Sequence, residues 1–181
     1  MRLVALLSGG KDSVTSIVLA TQAGHEVVAL AHVGAAVEGV EQDSYMYQTV
    51  GSEVVRGLAE CLGLPLFATT HRGAALVQER EYGPDAVEGD EVELMYRVLA
   101  DARASGVVFD GVVSGAILSE YQRSRVESVC RRLGVVSLAP LWQRDQAELL
   151  AQMVGMGIDA IVVKVACLGL NRKHLGQTIA Q

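Results

Sequence analysis

The sequence has few aromatic residues, few cysteines and no long hydrophobic run, and each shortage excludes a class of protein. Phe, Trp and Tyr make up only 4% of the 181 residues, which disfavours a sandwich built from aromatic-rich strands. Cys61, Cys130 and Cys167 form no C-x-x-C pair, so we expect reduced, buried thiols rather than a disulfide framework. The most apolar late stretch, residues 158–170, contains charged residues and is too short to cross a bilayer. No membrane partner is expected.

Positive charge is also scarce. Lys and Arg number 15 against 21 Asp and Glu, which gives a net charge of −6. Binding to a nucleic-acid backbone rests on clustered Lys and Arg, so nucleic acid is not an expected partner. The chain opens on a short apolar run, Leu3–Leu7, that lacks the length and the cleavage region of a signal sequence. Together with the reduced thiols, this predicts a cytoplasmic protein.

Short apolar runs alternate with amphipathic segments from end to end. The runs carry Val, Leu or Ile on consecutive positions, as expected for strands covered by helices on both faces. This order predicts one α/β domain over residues 1–181, a doubly wound parallel sheet of about five strands. The candidate strands are Leu3–Leu7, Val27–Val33, Leu66–Thr70, Gly111–Ser114, Val135–Leu138 and Ala160–Val165. Glycine caps are expected where helices end, at Gly24, Gly63, Gly106 and Gly134.

Two stretches are longer than a minimal strand–helix connection. Residues 34–44 and 72–90 both follow predicted strands. Doubly wound sheets bind ligands at the carboxyl ends of their strands, so we predict that both stretches are substrate loops.

The segment between the first predicted strand and the first predicted helix is rich in glycine and hydroxyl groups. Glycines allow a tight turn that aims several N–H groups at one anion, and a helix N-terminus adds donors and a positive dipole end. Lys11 adds charge, and Asp12 could cap the helix or hold Mg²⁺. The pattern matches neither G-x-x-x-x-G-K-[ST] nor G-x-G-x-x-G. It predicts a pyrophosphate-binding loop, whose residues are Ser8, Gly9, Gly10, Lys11, Asp12 and Ser13.

This loop resembles the S-G-G-x-D-S loop of the N-type ATP pyrophosphatases, and further segments narrow the resemblance to the diphthine–ammonia ligases. They run in the family's order over essentially the whole chain: residues 43–51 (DSYMYQTVG), 88–93 (EGDEVE), 114–119 (SGAILS), 121–123 (YQR), 141–144 (LWQR) and 173–176 (KHLG). The resemblance implies a Rossmann-like fold of the PP-loop ATPase (HUP) type. It also implies ATP and Mg²⁺ as cofactors.

The resemblance implies a defined reaction as well. Diphthine is a modified histidine of translation elongation factor 2 that carries a carboxylate and a trimethylammonium group. The family converts the carboxylate to the amide of diphthamide, using ATP and ammonium. An acyl-adenylate is the intermediate, and AMP and pyrophosphate are released. Elongation factor 2 and ammonium are therefore the expected partners.

An acidic cluster precedes a predicted helix and is a candidate part of the site. Its carboxylates could ligate Mg²⁺ or attract the quaternary ammonium, or they could only complement the helix dipole. We predict that Asp90 and Glu91 are catalytic, with Lys11 and Asp12 of the loop, and that Glu88 and Glu93 contact the substrate.

Other residues are assigned by chemistry and position. The aromatic faces of Tyr45 and Tyr47 suit a trimethylammonium group, although the residue type alone favours a partly buried core tyrosine at each position. Arg123 could bind phosphate or an acidic patch of the protein substrate, or be a solvated helix residue. Ser114 and Gly115 end a predicted strand and are expected to let adenine or ribose approach the backbone.

The chain departs from the family pattern at its end. Family members continue past the K-H-L-G segment into a G-E-G-G-E-Y-E-T-like motif, whereas this sequence stops at Gln181. We therefore expect ATP binding to be retained and regard ligase turnover as the part to be tested. Two alternatives remain: an ATP-binding short form that is catalytically silent or regulatory, and a tRNA-modifying PP-loop ATP pyrophosphatase.

Overall fold

A computed structural model of the chain describes residues 1–35, 44–47, 50–70, 74–166 and 168–181. Strands and helices alternate along it, as the apolar pattern predicts. The elements are β1 (Arg2–Leu6), α1 (Lys11–Gln22), β2 (Glu26–Gly34), α2 (Val55–Leu62), β3 (Leu66–Thr70), α3 (Val92–Ala104), β4 (Gly111–Val113), α4 (Glu120–Leu133), β5 (Val136–Leu138) and α5 (Gln146–Gly155). Short 3₁₀ turns lie at Ser52–Val54 and Arg172–His174.

The five strands form one parallel sheet in the order β3-β2-β1-β4-β5. The chain first builds outward from β1 through β2 to β3, and then crosses back to place β4 on the other side of β1. The direction of winding therefore reverses between β1 and β4. Such a switch point opens a crevice at the carboxyl ends of the strands, where ligands of this fold class bind. The predicted fold class is confirmed.

The sheet is buried on both faces, which explains the continuous apolar runs of its strands. Leu3 of β1 packs on one face with Ile17 of α1 and Val55 of α2. The next residue, Val4, points to the other face, where it joins Met95 of α3 and Val129 of α4. Burying a side chain of this size stabilises the fold by about 1.5–3 kcal/mol relative to leaving it exposed.

The sixth predicted strand, Ala160–Val165, is wrong. Ile161 forms only an isolated antiparallel bridge with Thr178, and this segment does not join the sheet. The side chains of Ile161 and Val163 are 58% and 55% exposed, so the apolar run is not covered by helices as a sheet strand would be. A short apolar run by itself does not show whether the sheet has a covered position for it.

Other local predictions have mixed outcomes. The four predicted glycine caps all have positive φ, at Gly24, Gly63, Gly106 and Gly134. Cys130 is buried as predicted, whereas Cys61 is exposed because it lies on the outer side of α2. Cys167, most of the predicted loop 34–44 and the start of the predicted loop 72–90 lie outside the described residues. Within the part of the chain that the structure describes, no helix has the length and apolarity needed to span a membrane.

Candidate nucleotide-binding site

The glycine loop between β1 and α1 is braced by its own two serines. The hydroxyl of Ser13 donates to the carbonyl oxygen of Gly10 at 2.8 Å. Its oxygen also lies 3.3 Å from both the backbone nitrogen and the hydroxyl of Ser8. The Ser8 oxygen in turn accepts from the backbone N–H of Gly10 at 3.3 Å. These bonds hold the turn in one shape before any ligand arrives.

Two glycines allow other parts of the chain to approach this loop. Gly9 has φ of +86°, and a Cβ there would lie 2.8 Å from the carbonyl oxygen of Gly51. A Cβ on Gly115, just after β4, would lie 3.0 Å from the backbone nitrogen of Ser13. A Cβ at Gly9 would approach the carbonyl oxygen more closely than real Cβ atoms do, and a Cβ at Gly115 would force the neighbouring backbone to shift by a few tenths of an ångström. Gly115 therefore packs directly against the start of α1.

The N-terminus of α1 has no side-chain cap. Its N-cap residue is Gly10, and no side chain accepts a hydrogen bond from the first turn there. The cap considered for Asp12 in the sequence is thus not formed; its carboxylate lies 2.9 Å from Nζ of Lys11 instead. Uncapped N–H groups and the positive end of the dipole suit an anion.

A cavity of about 180 Å³ opens beside the loop, at the carboxyl ends of β1, β2 and β4. The structure brings to its wall five of the residues predicted to bind nucleotide, namely Ser8, Asp12, Ser13, Ser114 and Gly115. Gly9, Gly10 and Lys11 belong to the same loop without being part of that wall. The wall also includes apolar side chains such as Val33, Met95 and Val126. A wall that combines hydrogen-bonding groups with apolar surface suits a nucleotide.

His32 of β2 also lines this cavity, although it is not among the site residues predicted from the sequence. Its Nδ1 lies 2.7 Å from the carbonyl oxygen of Leu7, the residue before the loop. Burial lowers the pKa of His32, and the hydrogen bond to Leu7 opposes that effect only in part. Its position near the carboxyl end of the second predicted strand could have identified it.

Two of the predicted acidic site residues, Asp90 and Glu93, are hydrogen-bonded to other residues of the fold. The carboxylate of Asp90, which is 2% exposed, accepts backbone N–H groups from Leu76 and Val77 at 2.9 and 3.0 Å and from Val92 at 2.9 Å. Asp90 therefore ties the segment before α3 to the first turn of that helix. Its predicted catalytic role stays a prediction.

Glu93 is bound by Arg132 of α4 through two hydrogen bonds of 2.7 Å each. Burial alone would raise the pKa of Glu93, but the hydrogen bonds and charge of Arg132 outweigh it and the pKa is lowered. Its predicted substrate contact is untested, and its carboxylate already has a cationic partner. Glu88, by contrast, is exposed.

Glu91 is fully buried and connects to the cavity wall. One carboxylate oxygen accepts from the hydroxyl of Ser44 at 2.6 Å, and the other lies 3.3 Å from the hydroxyl of Tyr121. Tyr47, which lines the cavity, donates its hydroxyl to the backbone carbonyl of Glu91 at 2.9 Å. The two predictions, Tyr47 and Glu91, therefore belong to one network.

Tyr45 and Arg123 are placed on the outside of this region. Tyr45 is 66% exposed, which excludes the core alternative for it, and its ring centroid lies 5.6 Å from that of Tyr121. Arg123 pairs with Glu127 at 2.7 Å and lies over the ring of Trp142 at 4.8 Å. Neither residue is in the wall of the cavity.

No group of three or more metal-binding side chains occurs among the residues described. Asp12 nevertheless offers a carboxylate at the cavity wall, about a third exposed. Mg²⁺ in nucleotide sites is commonly held by one or two carboxylates together with phosphates and water. The single carboxylate of Asp12 fits that manner of binding. It does not fit a site in which protein side chains alone surround the metal.

Comparisons with known proteins agree with this geometry. The family described as "Diphthamide synthase N-terminal domain" matches residues 1–137. The chain is 50% identical to diphthine–ammonia ligase of Danio rerio, over 100% of this chain and 71% of that protein. The corresponding human protein is 48% identical, over 100% of this chain and 68% of its own length.

A more distant relative is tRNA(Ile)-lysidine synthase of Thermus thermophilus, 29% identical over 86% of this chain and 30% of that protein. Its similarity is far weaker than that of the two ligases. The family predicted from the loop and the downstream segments is therefore confirmed: this chain belongs to the diphthine–ammonia ligase family.

Proposed function

We propose that this chain is an ATP-dependent ligase that converts the carboxylate of diphthine on translation elongation factor 2 to an amide. The observation that carries the proposal is the serine-braced loop at the uncapped N-terminus of α1, open to a cavity at the switch point of the sheet. The similarity to named diphthine–ammonia ligases over the whole chain selects the reaction.

A carboxylate does not condense with ammonia unaided, because oxide would have to leave. In the proposed reaction, a carboxylate oxygen of diphthine attacks the α-phosphorus of ATP and pyrophosphate departs. Ammonia then attacks the acyl carbon, AMP leaves with the bonding electrons, and the excess proton passes to solvent. Orientation of the reactants and stabilisation of the departing charge supply the rate.

The loop is the pyrophosphate-binding half of the proposed site. Backbone N–H groups at the start of α1 would bind the phosphate oxygens, with the positive charge of Lys11 beside them. When bound with ATP, Mg²⁺ would neutralise phosphate charge, and Asp12 would supply one of its oxygen ligands. Ser114 and Gly115 would form the wall beside the nucleoside at the end of β4.

The substrate half of the proposed site lies toward the Glu91 network. Tyr45 presents an exposed aromatic face that suits the trimethylammonium group, and exposed Glu88 adds negative charge near the segment that Asp90 holds. Tyr47 and Glu91 would shape the wall between the two halves. Arg123 would meet an acidic region of elongation factor 2 from the outer side of α4.

The test uses purified chain with ATP, ammonium and elongation factor 2 that carries diphthine. We expect AMP release and the mass decrease that accompanies replacement of a carboxyl OH by NH₂ on the modified histidine. ATP binding with neither product would refute the ligase and favour the silent or regulatory alternative. AMP release with tRNA and not with the factor would favour the tRNA-modifying alternative.

The loop assignment has its own variant. Asp12→Ala with Ser13→Ala removes a cavity carboxylate and the hydroxyl that braces the loop, so ATP affinity should fall at least about tenfold if each lost interaction is worth about 1 kcal/mol. The matched control, Ser105→Ala with Asp159→Ala, changes the same residue types at exposed positions. Equal affinity in the two double variants would show that the loop is not the nucleotide site.

A further inference from the structure

The imidazole of His32 is held in one orientation at the wall of the cavity. His32 lies near the carboxyl end of β2, on the same face as Gly34, the last residue of that strand. Its Nδ1 is 2.7 Å from the carbonyl oxygen of Leu7. A carbonyl oxygen can only accept, so Nδ1 carries the hydrogen and the ring is tethered to the residue that precedes the glycine loop.

The other ring nitrogen is left as an acceptor. Burial lowers the pKa of His32, so the ring is neutral near pH 7 and Nε2 has a free lone pair. In the described part of the chain, the buried side-chain nitrogens and oxygens without a partner belong to Arg125, Trp142 and Gln152. Nε2 of His32 is not among these buried atoms, and the described residues form no hydrogen bond to it. Since His32 lines the cavity, we infer that its free lone pair is accessible from the cavity.

The space beside Nε2 is kept open by Gly34. A Cβ on Gly34 would lie 2.6 Å from Nε2 and 3.2 Å from the adjacent ring carbon. Any side chain at this position would displace the imidazole. A strand end without a Cβ and a tethered ring next to it together form a small, shaped acceptor site.

The chemistry of an acceptor selects the part of ATP that it can meet. Phosphate oxygens are mostly deprotonated at neutral pH, and their negative charge would be repelled by a lone pair. The nucleoside, however, offers N–H and O–H donors in the exocyclic amino group of adenine and the ribose hydroxyls. We propose that Nε2 of His32 accepts a hydrogen bond from a donor group of the ATP nucleoside and so contributes to nucleotide specificity. This inference rests on the proposed ATP site.

The test measures the dissociation constants of ATP and of two analogues by calorimetry. One analogue is dideoxy-ATP, which lacks both ribose hydroxyls, and the other is purine riboside triphosphate, which lacks the exocyclic amino group. His32→Ala should weaken ATP binding about three- to tenfold, the value of one neutral hydrogen bond. It should leave nearly unchanged the binding of whichever analogue lacks the donor that His32 meets. That analogue identifies the donor.

Two further variants make the result decisive. Gly34→Ala keeps the imidazole but displaces it, so it should reproduce the selective loss even if His32→Ala folds poorly. His25→Ala is the matched control, because His25 lies just before the opposite end of β2 and contacts the N-terminal amine at 3.5 Å. It should bind all three nucleotides like the unmodified chain.

An equal loss for ATP and both analogues in His32→Ala and Gly34→Ala, or no loss at all, would overturn the role of His32 while leaving the ATP site intact. Failure of the unmodified chain to bind ATP would overturn the proposed nucleotide site, and the inference with it. The two failures are thereby distinguished.

Discussion

At the scale of single residues, Gly9 experiences two constraints that can be separated by mutation. It has φ of +86°, and a Cβ there would lie 2.8 Å from the carbonyl oxygen of Gly51. We expect Gly9→Ala to cost about 1–3 kcal/mol in free energy of unfolding and to weaken ATP binding at least about tenfold, because the clash would move the phosphate-binding backbone. Urea unfolding and calorimetry measure the two effects.

Gly24→Ala is the control for that experiment. Its φ of +81° is nearly the same, but no atom lies within 4 Å of a Cβ there. It should therefore show the backbone strain without the loss of ATP affinity. If both variants bind ATP equally well, close packing against Gly51 is not needed for the site.

The described cysteines should differ sharply in reactivity. Burial raises the pKa of the Cys130 thiol to about 12, and this side chain lies on the buried face of α4, within the core. Cys61 is exposed on α2. Since the thiolate is the nucleophile, iodoacetamide at mildly alkaline pH should modify Cys61 well before Cys130, as peptide mass spectrometry would show. In urea the two rates should converge; rapid modification of Cys130 in the folded chain would contradict its burial.

At the scale of elements, the pair Glu93–Arg132 fastens α3 to α4. Both side chains are largely buried, and their two hydrogen bonds measure 2.7 Å. Arg132→Ala leaves Glu93 without its cation, so we expect a loss of about 3 kcal/mol in free energy of unfolding. Arg123→Ala removes a more exposed pair on the same helix, together with a cation–π contact to Trp142, and should cost no more than about 1 kcal/mol. Similar losses in both variants would argue against a special role for the buried pair.

The same pair should also contribute to the acid sensitivity of the fold. Arg132 lowers the pKa of Glu93 below its ordinary value of 4.5 in spite of burial. The unfolded chain therefore binds the proton more readily, and stability from this group is present above pH 4.5 and lost as pH falls through the folded pKa. Urea unfolding across this range should show a steeper acid loss for the unmodified chain than for Arg132→Ala. If the free energy of unfolding falls equally with pH in both proteins, the pair does not contribute to acid sensitivity.

The sequence predicts a strand well where its apolar run occupies a place in the sheet that is covered on both faces. β3 is found at the predicted residues, and β1, β2, β4 and β5 begin or end within about one residue of them. Ala160–Val165 has the same composition but no covered place in the sheet, which a local pattern does not encode.

The glycine loop and Gly115 of the candidate site are predictable because the ends of parallel strands meet at one edge of the sheet. The bonds of Glu93 and His32 depend on how α4 and β1 lie beside them, and spacing along the chain does not contain that information.

At the scale of the whole molecule, the topology divides the proposed site into two halves that can be tested apart. The loop and the start of α1 form a donor-rich half, and the cavity wall at β2 and β4 forms the nucleoside half. Inorganic pyrophosphate should therefore bind by itself and compete with ATP. AMP should bind through the other half.

Thermal unfolding with each ligand measures this division. A ligand at about 100 times its dissociation constant stabilises the fold by about 2.7 kcal/mol, which is readily detected as a rise in Tm. Ser13→Ala should reduce the Tm rise from pyrophosphate and from ATP, because the Ser13 hydroxyl braces the loop, and should leave the rise from AMP intact. Ser105→Ala, an exposed serine at the end of α3, should change none of the three. Simultaneous binding of pyrophosphate and ATP would show that pyrophosphate binds outside the ATP site, and it would contradict the division of that site into two halves.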